Sequence, residues 1–374
     1  MNFRGHKLTL EVIQMPLNKK LVEQVDKIID FGRKLFAGVL RSRTGALTEL
    51  SRLLRFQKGT KGFEREYNRL VPLMNELKGA YRKSVLELFP SVGLRFGIID
   101  DSGVKKTGKN FPKQKIQHDH TSNTFYTGMK VLSSAVYQAG KVAAISSRIM
   151  GEEDNKLIAA QEEIDMLIDE YFVDLFLFDS WYCKSPVLEK VEERGKIFIS
   201  RLRTDSKVDM SDEQFINLNH LAKNIAHKEY KRIKIRGKTY WVHELTLKFK
   251  TYGTLRVIIS KEGQHEEPIF LTTNTEKFTP KFIVKLYLKR FSIEIFFKDA
   301  KQFLNFETFL CRKPNKWDIH LHLTNVLHWA IQKKNSISKT VRAIREDISK
   351  CQLFINENRL ITKFTDELRK LCQT

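Results

Sequence analysis

The sequence predicts an α/β fold: a mixed five-stranded sheet with flanking helices, interrupted by a β-rich insertion and bracketed by helical regions at both ends. Three observations predict it. Residues 91–203 alternate apolar runs of strand length with helical periodicity, in the order strand, hairpin pair, helix, strand, helix, strand. Residues 204–279 lose the helical period and fill with alternating β-branched and aromatic runs. Before residue 91 and after residue 305 the apolar residues return to helical spacing. The expected division is therefore a helical N-terminal region (1–90), the first part of a core (91–203), the β-rich insertion (204–279), a final core helix (280–305) and a helical C-terminal region (306–374).

Taken in order, Leu21 to Leu40 and Ala46 to Arg55 have helical apolar spacing, and Gly59-Thr-Lys-Gly62 interrupts it before Phe63 to Leu77 and Gly79 to Leu88 resume. The stretch Thr44 to Arg55 opens with a capping residue and fits a helix-turn-helix as well as it fits a plain bundle. Leu94 to Asp101 is an apolar strand ending in two acids, followed by a Ser-Gly turn and the basic loop Lys105 to Lys109. Gly128 to Tyr137 and Lys141 to Ile149 flank Gln-Ala-Gly as a hairpin. Leu157 to Tyr171 is an amphipathic helix, Val173 to Asp179 a buried strand, Pro186 to Glu193 a helix and Lys196 to Leu202 a strand. The insertion supplies strands at Tyr230 to Ile235, Thr239 to Lys250, Thr254 to Ser260 and Ile269 to Thr273.

Charge sets the class of partner. Lys and Arg number 66 against 44 acids, a formal charge of +22 spread along the whole chain. A folded basic surface of this kind neutralises phosphates, so nucleic acid is the expected polyanion and the N-terminal region a DNA-binding one. No apolar run reaches transmembrane length and no secretory signal is legible, which argues against a membrane. Cys183, Cys311, Cys351 and Cys372 are scattered without metal-site spacing and read as reduced thiols of a cytoplasmic protein.

Lys285 to Lys301 contains neither Gly nor Pro and reads as a helix. At about 100° per residue, Tyr287, Arg290, Glu294 and Lys301 fall on one polar stripe about 60° wide. Such a stripe fits an ordinary ion-paired surface. It also fits chemistry, because a carboxylate ligates a hard cation while Arg, Lys and Tyr hold phosphate oxygens. Two other acidic positions favour the second reading. The order of elements is that of an RNase H-like core, in which the strands ending at Asp100/Asp101 and at Asp179 lie side by side. Alone, either acid would pass for a turn former or a cap.

With these residues in view, the sequence resembles the DDE transposases of the insertion-sequence-4 group. The helix carries that group's Tyr-x2-Arg-x3-Glu-x6-Lys signature at Tyr287, Arg290, Glu294 and Lys301. Asp179-Ser-Trp-Tyr182 is similar to the family's second acidic strand end, Phe198 to Arg203 to its next strand, and Ile99-Asp-Asp-Ser102 to its first. The resemblance implies a two-metal phosphoryl-transfer site holding magnesium, or manganese in its place, and using no ATP. It makes Asp179 and Glu294 ligands and gives Tyr287, Arg290 and Lys301 the transposon-end phosphates. The first ligand stays open: placing the acid two before the hydroxyl residue selects Asp100, the slightly preferred choice, and placing it directly before selects Asp101. Implied partners are double-stranded DNA, as inverted-repeat ends and as target, and a second copy in a synaptic homodimer, with residues 306–374 offered for that contact. A bacterial protein, nucleoid-associated when bound, is implied as well. A structure-specific nuclease on the same fold and an inactive DNA-binding relic are the competing readings.

Weaker features are weighed beside these. Trp241 lies among Lys231, Arg232, Lys234, Arg236 and Lys238, a basic aromatic surface fit to touch DNA, although a hairpin with a buried Trp fits too. His118-Asp-His120 and His320-Leu-His322 lack further metal partners and read as loop or core histidines. The glycines of Gly103 to Gly108 are too close together for a phosphate-binding loop.

Overall fold

The computed structural model describes residues 30–31, 33–42, 47–53, 59–119, 122–210, 214–263, 266–332, 341, 346 and 348–371. The first nine residues of the Leu21 to Leu40 helix, the Thr44 cap, Arg55, Lys58 and His120 lie outside them. Four N-terminal helices follow one another: α1 (30–31 and 33–41), α2 (Leu47–Leu53), α3 (Gly59–Leu70) and α4 (Met74–Leu88). The expected interruption at Gly59 to Gly62 is instead the start of α3, and the chain breaks later, in a 3-10 turn at Val71–Leu73 that contains Pro72. Proline lacks the amide that a continuing helix needs.

The sheet begins with β1 (Phe96–Lys105), β2 (Lys115–Asp119), β3 (Thr124–Gln138) and β4 (Lys141–Met150). Ala139 and Gly140 both have positive φ, 49° and 83°, as a two-residue hairpin turn between β3 and β4 requires. Helix α5 (Lys156–Tyr171) is capped by the Asn155 side chain, which accepts from the amides of Leu157 and Ile158. Then come β5 (Leu175–Phe178), α6 (Ser185–Glu193) and β6 (Ile197–Leu202). These give the central order β4-β3-β1-β5-β6, with β1, β5 and β6 parallel and β3 antiparallel to both β1 and β4. Every residue of β5 is buried, the pattern of a strand covered on both faces.

One expectation changes here. β1 does not end at its acids but continues through Ser102 and Gly103 to Lys105, in register with β3 throughout. Gly103 serves close approach rather than a turn: a Cβ there would stand 1.7 Å from the Tyr126 hydroxyl.

The insertion continues the same sheet. Two short strands, β7 (Lys207–Asp209) and β8 (Phe215–Asn217), and helix α7 (Leu218–Lys223) precede β9 (Lys231–Ile235), β10 (Lys238–Phe249), β11 (Gly253–Glu262) and β12 (Ile269–Thr273). β12 pairs antiparallel with β6, and β11 and β10 follow outward, making twelve strands in one sheet among the described residues. The final core helix is α8 (Pro280–Tyr287), a 3-10 turn at Leu288–Arg290, and α9 (Phe291–Phe303).

Helix α10 (Pro314–Ile331) is buried from Lys316 to Ile331 apart from Asp318, its polar side chains included. Among the described residues, α11 (Ile348–Glu357) and α12 (Arg359–Leu371) follow. The Tyr81 hydroxyl of α4 lies 3.0 Å from the Ala144 carbonyl and 3.3 Å from that of Asn325, and Lys83 pairs with Glu367 at 3.0 Å. Terminal helices from both ends thus share one layer against β4. Among the described residues no helix is long and apolar enough to cross a membrane.

Candidate functional site

The site starts from a register. Phe96, Gly97 and Ile98 of β1 stand opposite Leu175, Phe176 and Leu177 of β5. Continued residue by residue, the same register sets Asp100 opposite Asp179, one step past the end of β5. Residues opposite one another in a sheet point to the same face. Burial, and next the charge of Asp179, push the Asp100 carboxyl up to about 7 against the pull of Arg290.

Asp101 points to the other face. It accepts from the Tyr182 hydroxyl at 2.8 Å and pairs with Lys130 at 3.0 Å and with Lys156 at the start of α5. Burial works to raise its pKa, but the two lysines and the phenol outweigh it and hold the carboxyl below its usual value. The adjacent acids therefore have opposite environments, and only Asp100 shares a side with Asp179.

Asp179 is also the turn former that its position allows: Oδ1 accepts from the amides of Trp181 at 2.9 Å and Tyr182 at 3.2 Å. Both roles are compatible, because a carboxylate has lone pairs to spare.

Glu294 sits, exposed, in the first turn of α9, a helix that packs over β1. Nη1 of Arg290 lies 3.3 Å from Asp100 Oδ2, and Nη2 donates to Glu294 Oε1. One guanidinium thus joins acids that are far apart in sequence. The 3-10 turn matters here, because side chains three apart eclipse in it. It stacks Arg290 near Tyr287, with the guanidinium carbon 5.8 Å from that ring and 5.0 Å from Phe291. The expected open ridge is in fact partly closed: Tyr287 and Arg290 are buried, while Glu294 is exposed. Burial pushes the Tyr287 phenol up to about 12, with Arg290 and Arg201 opposing, so it stays a neutral donor. Lys301 donates to the Gly103 carbonyl at 2.7 Å and pairs with Glu307 at 2.9 Å, tying α9 to β1 beyond Asp100.

Other candidates lie elsewhere. Trp241 on β10 packs against His227, ring centroids 4.4 Å apart, with Arg232 and Lys261 beside it in register. Its strand is four places from β5, roughly 19 Å at the usual strand spacing, so Trp241 is not brought to the acids. His320 and His322 are buried on α10, and His320 stacks on Phe309 at 4.1 Å. Burial lowers their pKa values to about 3 and about 4, so both are neutral core residues. Sequence reasoning missed Lys130, Lys156 and Arg201. Of the new partners, Tyr182 and Arg201 lay within quoted stretches, Tyr182 three after Asp179 and Arg201 in Phe198 to Arg203.

Among the described residues no three His, Cys, Asp or Glu side chains lie close enough to hold one ion. Glu294 turns its near oxygen to Arg290, while Asp100 and Asp179 face each other. An all-oxygen pair containing a buried carboxyl raised to about 7 suits a hard divalent cation, which relieves the repulsion between them.

The fold and these acids define a class, an α/β domain with one carboxylate within a central strand and another just past the end of its neighbour. The family model described as "Transposase DDE domain" matches residues 92–329, more than half of the chain. This chain belongs to that family, and its field is DNA transposition and recombination. Among curated proteins nothing matches. Among solved structures, the NurA nuclease from Sulfolobus solfataricus is similar at 11% identity over 59% of this chain and 82% of that one, with a TM-score of 0.28.

Proposed function

We propose that this DDE transposase, of the insertion-sequence-4 group, cleaves phosphodiesters at the inverted-repeat ends of its element and joins the freed 3′-hydroxyl ends to target DNA. The observation that carries the reading is the single sheet face shared by Asp100 and Asp179, with Glu294 linked to Asp100 through Arg290. Asp100, Asp179 and Glu294 would hold two magnesium ions, or manganese in their place. Bound there, the ions supply an activated oxygen nucleophile and stabilise the leaving oxygen.

The chain's own groups do the rest. Arg290, which bonds two carboxylates, would take phosphate oxygens instead once those charges are balanced otherwise. Tyr287 donates a neutral hydrogen bond, and Lys301 fixes the far end of α9. Asp101, with Lys130, Lys156 and Tyr182, holds β1 in place from behind. Trp241, with Arg232 and Lys261, would meet DNA away from the scissile bond, and a homodimer would pair the two ends. The test is cleavage of end-containing duplex in magnesium by wild type and Glu294→Gln. A loss of at least about a thousandfold is expected for a metal-site carboxylate. Undiminished cutting by the variant rejects the reading, and cutting without strand transfer replaces it with a nuclease.

A further inference from the structure

Beyond Asp100, β1 and β3 run on together, and the first five residues of β3 pair with β2 to form a two-stranded ribbon. One face of it is packed: Tyr126 crosses Gly103 and bonds Gln117 at 3.2 Å, and Lys105 pairs with Asp119 at 3.0 Å. The other face is not. Ile116 is 72% exposed and Phe125 74%, diagonal neighbours across the two strands, with His118 beside Phe125 and Thr127 opposite Ile116.

Register shows which way that face looks. Asp100 stands opposite Ser133, and the unshifted pairing of β1 with β3 puts Ser133, Val131, Met129, Thr127 and Phe125 on one side. The bare face of the ribbon is therefore the face of the sheet that carries Asp100. From Ser133 to Phe125 is eight steps of strand, roughly 27 Å, which equals about eight base pairs of duplex.

We propose that the β2–β3 ribbon enters a groove of the double-stranded DNA held at the Asp100 site, with Phe125 and Ile116 against base edges about eight base pairs from the scissile phosphate. This rests on the transposase reading above. A two-stranded ribbon fits the major groove, and apolar side chains there meet thymine methyls. Exposed Lys109 and Arg312, joined by a 3.2 Å bond from the Arg312 Nε to the Lys109 carbonyl, supply cations on the neighbouring connection. A second copy is the poorer occupant. Two side chains bury a few hundred Å² at most, against roughly 1,000 Å² or more for a stable interface.

The test is hydroxyl-radical footprinting and affinity on a duplex taken from the DNA flanking the reading frame, with wild type and the double variant Phe125→Ser, Ile116→Ser. Both positions are exposed, so an unchanged thermal midpoint is expected and serves as the folding control. Wild type should protect a patch about eight base pairs from its cut. The variant should lose that patch and bind roughly tenfold more weakly, yet still cut at saturating protein. Equal footprints and affinities overturn the ribbon assignment alone. Loss of a DNA-free dimer in the variant, with the patch intact, gives the face to a second copy instead. Wild type that neither binds nor cuts overturns the transposase reading itself.

Discussion

Arg290 reaches from the helical layer to the sheet, its Nη1 standing 3.3 Å from Oδ2 of Asp100. The same guanidinium bonds Glu294, so a single side chain balances two acids in the protein without metal. Removing one member of such a set leaves buried charge uncompensated. Arg290→Gln should destabilise the metal-free protein by about 3 kcal/mol. The loss should be larger at pH 8 than at pH 6, because Asp100 escapes by protonating at the lower pH. Denaturant midpoints at the two pH values check this.

Asp100 itself gives a signed pH dependence. Its folded pKa of about 7 lies above the usual carboxylate value of 3.8, so between these the native state holds a proton that the unfolded state has lost. Its contribution is full below the lower value and disappears as pH rises through about 7. The expected slope is a loss of about 1.4 kcal/mol per pH unit across that window. Asp100→Asn should remove this slope. Magnesium binding should release close to one proton at pH 6 and little at pH 8.5, measurable from the buffer dependence of the binding heat.

The two neighbouring acids should separate in function. Asp100→Asn is expected to abolish cleavage while the protein stays folded. Asp101→Asn leaves Lys130 and Lys156 without their counter-charge, so it should cost about 2 kcal/mol of stability and retain measurable cleavage. Equal losses of cleavage in two equally folded variants would contradict the assignment of Asp100 to the site.

The histidines of α10 predict acid lability. His320 and His322 have folded pKa values depressed to about 3 and about 4 by burial, below the usual 6.5. Their contribution is present above pH 6.5 and falls away as pH drops through 6.5 toward 4 and then 3, because only the unfolded chain takes up protons there. His320→Phe, which preserves the stack on Phe309, should flatten this acid limb in denaturation series between pH 7 and 4.5.

Gly103 couples the strand of Asp100 to the ribbon. Gly103→Ala would drive a methyl into Tyr126, and a cost of about 1–3 kcal/mol is expected for such overpacking. Adding Tyr126→Ala should recover most of it in a double-mutant cycle.

Much of this is legible in the sequence. The hydrophobic runs gave β4, α5, β5 and β6 within a residue or two, because apolar segments bounded by Gly, Asp and Pro leave few alternatives, whereas β1 and β3 each run four residues further at the end where β3 meets β2. The Glu294 helix was legible from spacing, but its 3-10 turn was not: nothing in Leu288-Lys289-Arg290 breaks helical preference. That turn decides how deeply Tyr287 and Arg290 are buried. The different surroundings of Asp100 and Asp101 needed the register with β5, a long-range property. Gly103 misled because a glycine after two acids and a serine signals a turn, whereas here it answers to an aromatic ring from another strand. β2, β7 and β8 were missed because Lys115–Asp119, Lys207–Asp209 and Phe215–Asn217 hold only one or two apolar residues each and form no apolar run.

The docking of β12 onto β6 has a geometric consequence for any long, stiff ligand. Neighbouring strands in a sheet rotate by roughly 20–25° each. Over the four steps from β5 to β10 the rotation accumulates to about a quarter turn. A straight rod laid along β5, the strand that leads into Asp179, therefore crosses the Trp241 strand almost at right angles. No single unbent helix can follow both.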